Sequence, residues 1–193
     1  MIISCLGSGE IKAGHIYYDA MVEVGRLLAN KNCIVTTGAF GGVMEAAAKG
    51  AMEAGGRTIG YTILGKASNT YIQTAIDCRG LLHPIACLEN EQPNPTIQYA
   101  IRLGCLLSSD GFILTAGGGP GSMTELMAII NLSAKIWKKP KKVSILKLKE
   151  VPAVSWGNDM FDTLYKWGVF PAKVQKNFRV FMTPEEAVDW VTG

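Results

Sequence analysis

The stretch that decides the fold is residues 110–125, DGFILTAGGGPGSMTE, where a short apolar run breaks into glycines and then into a helical pattern. Four glycines fall within the five positions 117–121. Glycine allows close approach to the backbone, and a helix beginning near Pro120 has unpaired N–H groups and a partial positive charge at its start. We therefore predict a phosphate-binding cradle here. Its candidate residues are Gly117, Gly118, Gly119, Gly121 and Ser122.

Glu125 stands one turn inside the same helix. A carboxylate at this position would repel a phosphate that it faced. It therefore indicates a ligand that carries both a phosphate and a group needing a base or an electrostatic partner. The alternative is a structural role, in which Glu125 stabilises the helix N-terminus or pairs with a neighbouring side chain.

Strand and helix patterns alternate along all 193 residues, which predicts one α/β domain over residues 1–193. We expect a Rossmann-like, doubly wound and mostly parallel sheet with helices on both faces. Glycine-rich turns follow three strands, and in such sheets ligands bind beyond the carboxyl ends of the strands. The first two turns add further candidate ligand contacts, with close helix packing as the alternative for the second turn. These candidates are Gly7, Ser8, Gly38, Gly41 and Gly42.

Periodicity and capping residues give approximate element boundaries. Strands are predicted at residues 2–6, 33–36, 58–63, 112–115 and 143–146. Helices are predicted at residues 17–30, 43–54, 95–107 and 121–137, and from a capping box at residues 183–186 to Trp190. Asn94 is the expected cap of the third helix. Residues 64–93 are expected to shape ligand specificity and to hold one or two short strands around residues 81–88.

Composition narrows the classes of function. The net charge is only +3, and the cluster KKPKK at residues 138–142 is typical of a solvated connection, so we expect no nucleic-acid partner. No apolar run approaches the roughly 20 residues of a membrane span, and no signal peptide is apparent. Five cysteines without a CxxC pair favour a reducing, cytoplasmic location over a disulfide framework.

Several familiar sites are excluded by missing residues. A P-loop needs a Lys after its last glycine, and here Ser122 follows Gly121 directly. The dinucleotide fingerprint needs a glycine where Lys12 stands. With only two histidines, His15 and His83, we expect neither a metal site nor a catalytic triad, and no required cofactor.

Two motifs carry a family resemblance. GAFGGVME at residues 38–45 and GGPGSMTE at residues 118–125 resemble the paired signatures of the Lonely Guy (LOG)-like, or SLOG, superfamily, the second of which reads PGGxGTxxE. The opening GSG at residues 7–9 and the tail at residues 183–188 also fit. The resemblance implies a Rossmann-like sheet and a homodimer or larger homo-oligomer. The relatively apolar helix at residues 121–137 would contribute to that self-association.

The resemblance also implies an activity. Superfamily members with tested enzyme activity cleave the N-glycosidic bond of nucleoside 5′-monophosphates, releasing the base and ribose 5-phosphate. By position, Gly118, Gly119, Gly121 and Ser122 would hold the phosphate, and Glu125 would act at the sugar. Arg102, the only Arg in the preceding helix, is the candidate catalytic partner, with an ordinary ion pair as its alternative role.

Two departures keep other functions open. Gly117 replaces the Pro of the enzyme motif, and the MHxRK segment of cytokinin-activating enzymes is absent. The GGG form is closer to a group that includes molybdenum cofactor carrier proteins, which bind a phosphorylated pterin without transforming it. The chain is thus a phosphoribohydrolase, a carrier or sensor with bound nucleotide monophosphate or molybdopterin, or an interaction protein with a vestigial site. The label lysine decarboxylase, common among such relatives, does not fit because neither motif contains a Schiff-base Lys.

Overall fold

Seven parallel strands form one sheet in the order β4-β3-β2-β1-β5-β6-β7. The structure, a computed structural model, describes residues 1–63, 67–78, 95–116, 118–148 and 163–193. The strands are β1 (Ile2–Leu6), β2 (Ile34–Thr37), β3 (Arg57–Thr62), β4 (Thr74–Asp77), β5 (Gly111–Thr115), β6 (Lys142–Leu146) and β7 (Phe178–Phe181).

Helices connect these strands. They are α1 (Ile16–Asn30), α2 (Val43–Glu53), α3 (Pro95–Leu107), α4 (Pro120–Lys135), α5 (Ala172–Gln175) and α6 (Pro184–Thr192), and residues 163–166 are also helical. None of the helices in these ranges combines the length and the apolar character that crossing a membrane requires.

Buried side chains alternate between the two faces of the sheet. On β5, Ile113 packs with α1, α2 and α6, whereas Phe112 and Leu114 pack with α3 and α4. On β1, likewise, Ile3 packs in the cluster that contains α1, α2 and α6, and Leu6 packs in the cluster that contains α3 and α4. This two-sided core confirms the predicted Rossmann-like α/β fold.

The strand order places the glycine-rich turns at one edge. β1 pairs with β2 on one side and with β5 on the other, so the chain reverses its direction of travel across the sheet at β1. A crevice forms at such a switch point, outside the carboxyl ends of the strands. The turns after β1, β2 and β5 all border this crevice.

Most element boundaries lie within two residues of the prediction. β2 begins and ends one residue later than predicted, and β3 one residue earlier. The cap of α6 is confirmed, since the Thr183 hydroxyl accepts a hydrogen bond from the Glu186 N–H at 3.3 Å. Four elements were not predicted, namely β4, α5, β7 and the helical residues 163–166. The strands expected around residues 81–88, and the cap Asn94, lie outside the described residues.

Helices α1 and α2 pack unusually closely. A Cβ added to Gly50 would lie 1.8 Å from the carbonyl oxygen of Val22, and one added to Gly25 would lie 2.0 Å from the carbonyl oxygen of Ala47. Contacts this short leave no room for any side chain at either glycine. The pair therefore fixes how α2, and with it the turn that precedes α2, sits on the sheet.

We predict that Gly50→Ala lowers the free energy of unfolding by roughly 3 kcal/mol, because the new methyl group forces the two helices apart. Gly104→Ala is the matched control, since Gly104 is exposed on α3 and its Cβ would meet nothing within 4 Å. That variant should gain about 0.5–1 kcal/mol from helix propensity. Urea unfolding measures both values, and equal effects of the two substitutions would contradict the packing explanation.

Candidate functional site

A pocket of about 650 Å³ opens at the carboxyl ends of β1, β2 and β5. The residues predicted from the sequence that line it are Gly7, Ser8, Gly41, Arg102, Gly119, Gly121, Ser122 and Glu125. Glu45, for which the sequence favoured a role at the helix start over contact with the ligand, also lines it. So do residues that the sequence did not single out as ligand contacts, namely Gly9, Glu10, Lys12, Phe40, Met44, Ser68 and Tyr99. Thus most of the sequence candidates share one pocket.

The remaining candidates lie behind the pocket wall or outside the described residues. Gly42 has φ +67°, and a Cβ there would lie 2.2 Å from the carbonyl oxygen of Ser8. That oxygen accepts a hydrogen bond from the Val43 N–H at 3.0 Å, so Gly42 joins the turn after β1 to the start of α2. Gly38 is buried against Arg102, and Gly118 lies beside Ser122 at the edge of the cradle. Gly117 falls outside the described residues.

The start of α4 is the better anion site of the two helix N-termini at the pocket. Both helices begin at a glycine cap without a capping side chain, Gly42 for α2 and Gly119 for α4. The first turn of α2 contains Glu45, whereas the first turn of α4 contains no acidic residue. A carboxylate compensates the positive end of a helix dipole, so only α4 presents an uncompensated one.

Ser122 adds a hydroxyl to this helix start. Its side chain is buried yet lines the pocket, and a Cβ on Gly118 would lie 2.5 Å from the Ser122 Oγ. A side chain at position 118 would therefore displace the hydroxyl. The same hypothetical Cβ lies 3.8 Å from the backbone nitrogen of Ser8, so the cradle and the turn after β1 are immediate neighbours.

The guanidinium of Arg102 is buried in the neighbouring wall, which α3 forms, with 4% of the residue exposed. Its Nε donates to the carbonyl oxygen of Tyr61 at 3.0 Å, and its Nη2 donates to the carbonyl oxygen of Gly38 at 3.1 Å. The guanidinium also lies 4.9 Å from the ring centre of Phe40, within range of a cation–π interaction. A Cβ on Gly38 would fall 1.5 Å from Nη2, which explains a glycine at that position.

Glu125 is also buried, and burial raises the pKa of its carboxyl to about 7, while the positive charge of Arg102 opposes this rise. Burial in turn lowers the pKa of Arg102, and the charge of Glu125 opposes that fall. The two side chains do not form an ion pair within 4 Å. In the described part of the chain no group donates a hydrogen bond to Glu125. A carboxyl in this position titrates near neutral pH and is open to a ligand.

The turn after β2 is held in a strained conformation. Ala39 has φ +59°, which is uncommon for a residue with a side chain. Its carbonyl oxygen accepts a hydrogen bond from the Ser68 N–H at 2.9 Å, and the carbonyl oxygen of Phe40 accepts one from Asn69 Nδ2 at 2.9 Å. Residues 68 and 69 thus fix the backbone that presents Phe40 to the pocket. No sequence pattern predicted that residues 68 and 69 contact the turn after β2.

We predict that the stability of the protein falls as pH rises through the range from about 5 to 7. The pKa of Glu125 is higher in the folded chain than in the unfolded chain, so the folded state holds the extra proton in this window. Glu125→Gln removes this titration. Between pH 5 and pH 8 the free energy of unfolding of the variant should therefore rise, relative to that of the wild type, by up to roughly 3 kcal/mol. Thermal unfolding across pH measures the difference, and parallel curves for the two proteins would contradict the assignment.

Comparison with known proteins places the chain among relatives of the same fold. The SLOG cluster4 family model matches residues 1–78. An uncharacterized protein of Archaeoglobus fulgidus is 30% identical over 190 residues, which cover 98% of this chain and 93% of that protein. The X-ray structure of TM1055 matches with a TM-score of 0.69 and 21% identity, covering 99% of this chain and 98% of the other.

A further solved structure is the molybdenum cofactor carrier protein of Chlamydomonas reinhardtii, with a TM-score of 0.61 and 24% identity over 99% of this chain and 95% of that one. The fold and the site define a Rossmann-like α/β protein whose glycine-rich turns surround a pocket at the strand-order switch. Within that class, residues 1–78 of the chain match the SLOG cluster4 family. The resemblance to the LOG-like superfamily is thereby confirmed.

Proposed function

We propose that this protein binds and carries a phosphorylated small molecule of the nucleotide or pterin type, with its phosphate on the start of α4. The observation that carries the proposal is the uncompensated helix N-terminus at residues 119–122 beside the buried Ser122 hydroxyl. Unpaired N–H groups and a helix dipole favour a phosphate, and the glycines let it reach the backbone.

The rest of the pocket fits the remainder of such a ligand. Its volume of about 650 Å³ lies in the range of small-molecule sites. Phe40 and Tyr99 line it and offer aromatic surface for a flat ring. The likeness in fold to a molybdenum cofactor carrier protein supports the carrier function, as does the GGG form of the second motif. A phosphorylated pterin and a nucleoside monophosphate both carry a phosphate and a flat ring, which are the two groups that these residues would recognise.

We predict that Ser122→Ala weakens the binding of a phosphorylated ligand by roughly tenfold, through the loss of one hydrogen bond to a charged oxygen. The matched control is Thr124→Ala, because Thr124 is an exposed hydroxyl residue in the same helix whose Oγ1 donates to the carbonyl oxygen of Pro120 instead. Isothermal titration with ribose 5-phosphate measures both. Equal losses in the two variants, or no binding by the wild type of ribose 5-phosphate or of a nucleoside monophosphate, would refute the proposal.

The second candidate function is hydrolysis of a nucleoside 5′-monophosphate, and Glu125 is the observation that favours it. Breaking the bond between C1′ and the base nitrogen develops positive charge on the sugar. An ionised Glu125 would stabilise that charge and orient the attacking water, whose oxygen bonds to C1′ while the base leaves with a proton. Arg102, in the neighbouring wall, would favour the ionised form of Glu125 through its positive charge.

If the protein is such a hydrolase, we predict that Glu125→Gln abolishes base release and leaves phosphate binding largely intact. The rate should rise as pH increases through about 7, because the ionised carboxylate is the active form. Chromatography of nucleoside 5′-monophosphates incubated with each protein detects the free base. Base release that persists in the variant would exclude Glu125 as the catalytic group, and its absence with every substrate would favour the carrier.

A further inference from the structure

A second carboxylate faces the pocket from the side opposite the phosphate cradle. Glu45 lies in the first turn of α2 and lines the pocket together with its neighbours Phe40 and Met44. Its Oε1 accepts a hydrogen bond from the Tyr18 hydroxyl at 3.4 Å. A Cβ added to Gly41 would lie 3.5 Å from its Oε2, so this oxygen sits beside the turn that leads into α2.

The turn after β1 separates this carboxylate from the cradle. On one side, the Ser8 nitrogen lies 3.8 Å from a Cβ placed on Gly118. On the other side, the Ser8 carbonyl oxygen accepts a hydrogen bond from the Val43 N–H at 3.0 Å. A ligand with its phosphate at the start of α4 therefore crosses residues 8 and 9 to reach Glu45. The end of the ligand that meets Glu45 is the end remote from the phosphate.

The chemistry at that end is an aromatic face next to a hydrogen-bond acceptor. Phe40 supplies the face, and Met44 adds a polarisable thioether that suits contact with flat rings. A carboxylate accepts hydrogen bonds at both oxygens and donates none when ionised. It therefore selects a ring edge that presents N–H donors and disfavours an edge that presents acceptors.

We propose that Glu45 recognises the edge of a flat heterocycle that carries two adjacent N–H donors, the 2-amino-4-oxo pyrimidine edge that guanine and pterins share. This inference rests on the proposed function, because the phosphate at α4 is what places the ring beside Glu45. Two parallel N–H groups match two carboxylate oxygens, and each oxygen has a second lone pair for other partners such as Tyr18.

Tyr18 acts as a positioning residue for this contact. The residue is 5% exposed and lies on α1, in the core cluster that α1 and α2 form with one face of the sheet. Burial raises the pKa of its phenol, and the charge of Glu45 raises it further, so the hydroxyl stays protonated and donates to the carboxylate. The hydrogen bond holds Glu45 in one rotamer before the ligand arrives, which lowers the entropy lost on binding.

Isothermal titration with GMP, IMP, AMP and ribose 5-phosphate tests the assignment, because IMP differs from GMP only by the missing 2-amino group. We expect the wild type to bind GMP at least about tenfold more tightly than IMP or AMP. Glu45→Gln should remove that preference and leave the affinity for ribose 5-phosphate unchanged. Tyr18→Phe should reduce the preference in part, again without affecting ribose 5-phosphate.

Glu53→Gln is the matched control, because Glu53 is an exposed carboxylate on the same helix as Glu45 and is not among the residues that line the pocket. It should keep the full preference for GMP. A phosphate ester of a simple pterin tests whether the natural ligand carries a guanine or a pterin ring. The ring type of the natural ligand should bind more tightly than the other. Both ligands should lose affinity in Glu45→Gln.

The outcomes separate the two proposals. Equal affinity for GMP, IMP and AMP would overturn the role of Glu45 in ring recognition while ribose 5-phosphate binding upholds the phosphate site. An equal loss of all four ligands in Glu45→Gln would place the carboxylate at the sugar and likewise overturn the inference. If neither these four ligands nor the pterin phosphate ester binds to the wild type, the proposed function itself fails.

Discussion

The buried guanidinium of Arg102 is the constraint on which the site depends. It reaches from α3 into the sheet edge, where its Nε and Nη2 donate to the carbonyl oxygens of Tyr61 and Gly38. These carbonyls belong to the end of β3 and the turn after β2, so a single side chain joins three elements of the pocket wall. Burying a charge is unfavourable unless polar groups surround it, and here backbone carbonyls do so. The absence of a side chain at Gly38 makes this arrangement possible.

The position of Arg102 also gives the pocket its electrostatic character. Its charge lies close enough to influence Glu125 but outside ion-pair distance, so the pKa of Glu125 remains raised by burial. The two helices that begin at the pocket also differ in the charge at their first turns. Glu45 compensates the start of α2, whereas the start of α4 has no acidic residue in its first turn. A negatively charged ligand group is therefore directed to α4, and donor groups are directed to the carboxylate on α2.

How far the sequence predicts this structure depends on burial. β1, β5 and β6 were predicted because strands at the centre of a parallel sheet are nearly continuous apolar runs. β4 and β7 were missed because they lie at the two edges of the sheet, where β4 has no buried residue and β7 buries only Phe178. Neither strand offers an apolar run or a clean alternation to detect.

The candidate site, too, was predictable from the sequence only in part. Glycines and Glu125 follow one another in a motif, so their presence at one helix start could be predicted from spacing. Arg102 was found through the family resemblance, but its partners are backbone carbonyls, which every residue possesses and no sequence pattern marks. Phe40, Ser68 and Tyr99 come from three separate segments and meet only because the strands bring their ends together. Tertiary contacts of this kind cannot be derived from local spacing.

Amide NMR during titration with ribose 5-phosphate tests the location of the phosphate most directly. Backbone N–H groups that bind a phosphate oxygen shift more than groups that merely lie nearby, and each amide reports on its own position. We predict the largest shifts at Gly119, Gly121 and Ser122, with smaller shifts at Ser8. The largest shifts at Met44 and Glu45 would instead place the phosphate on α2 and contradict the central claim.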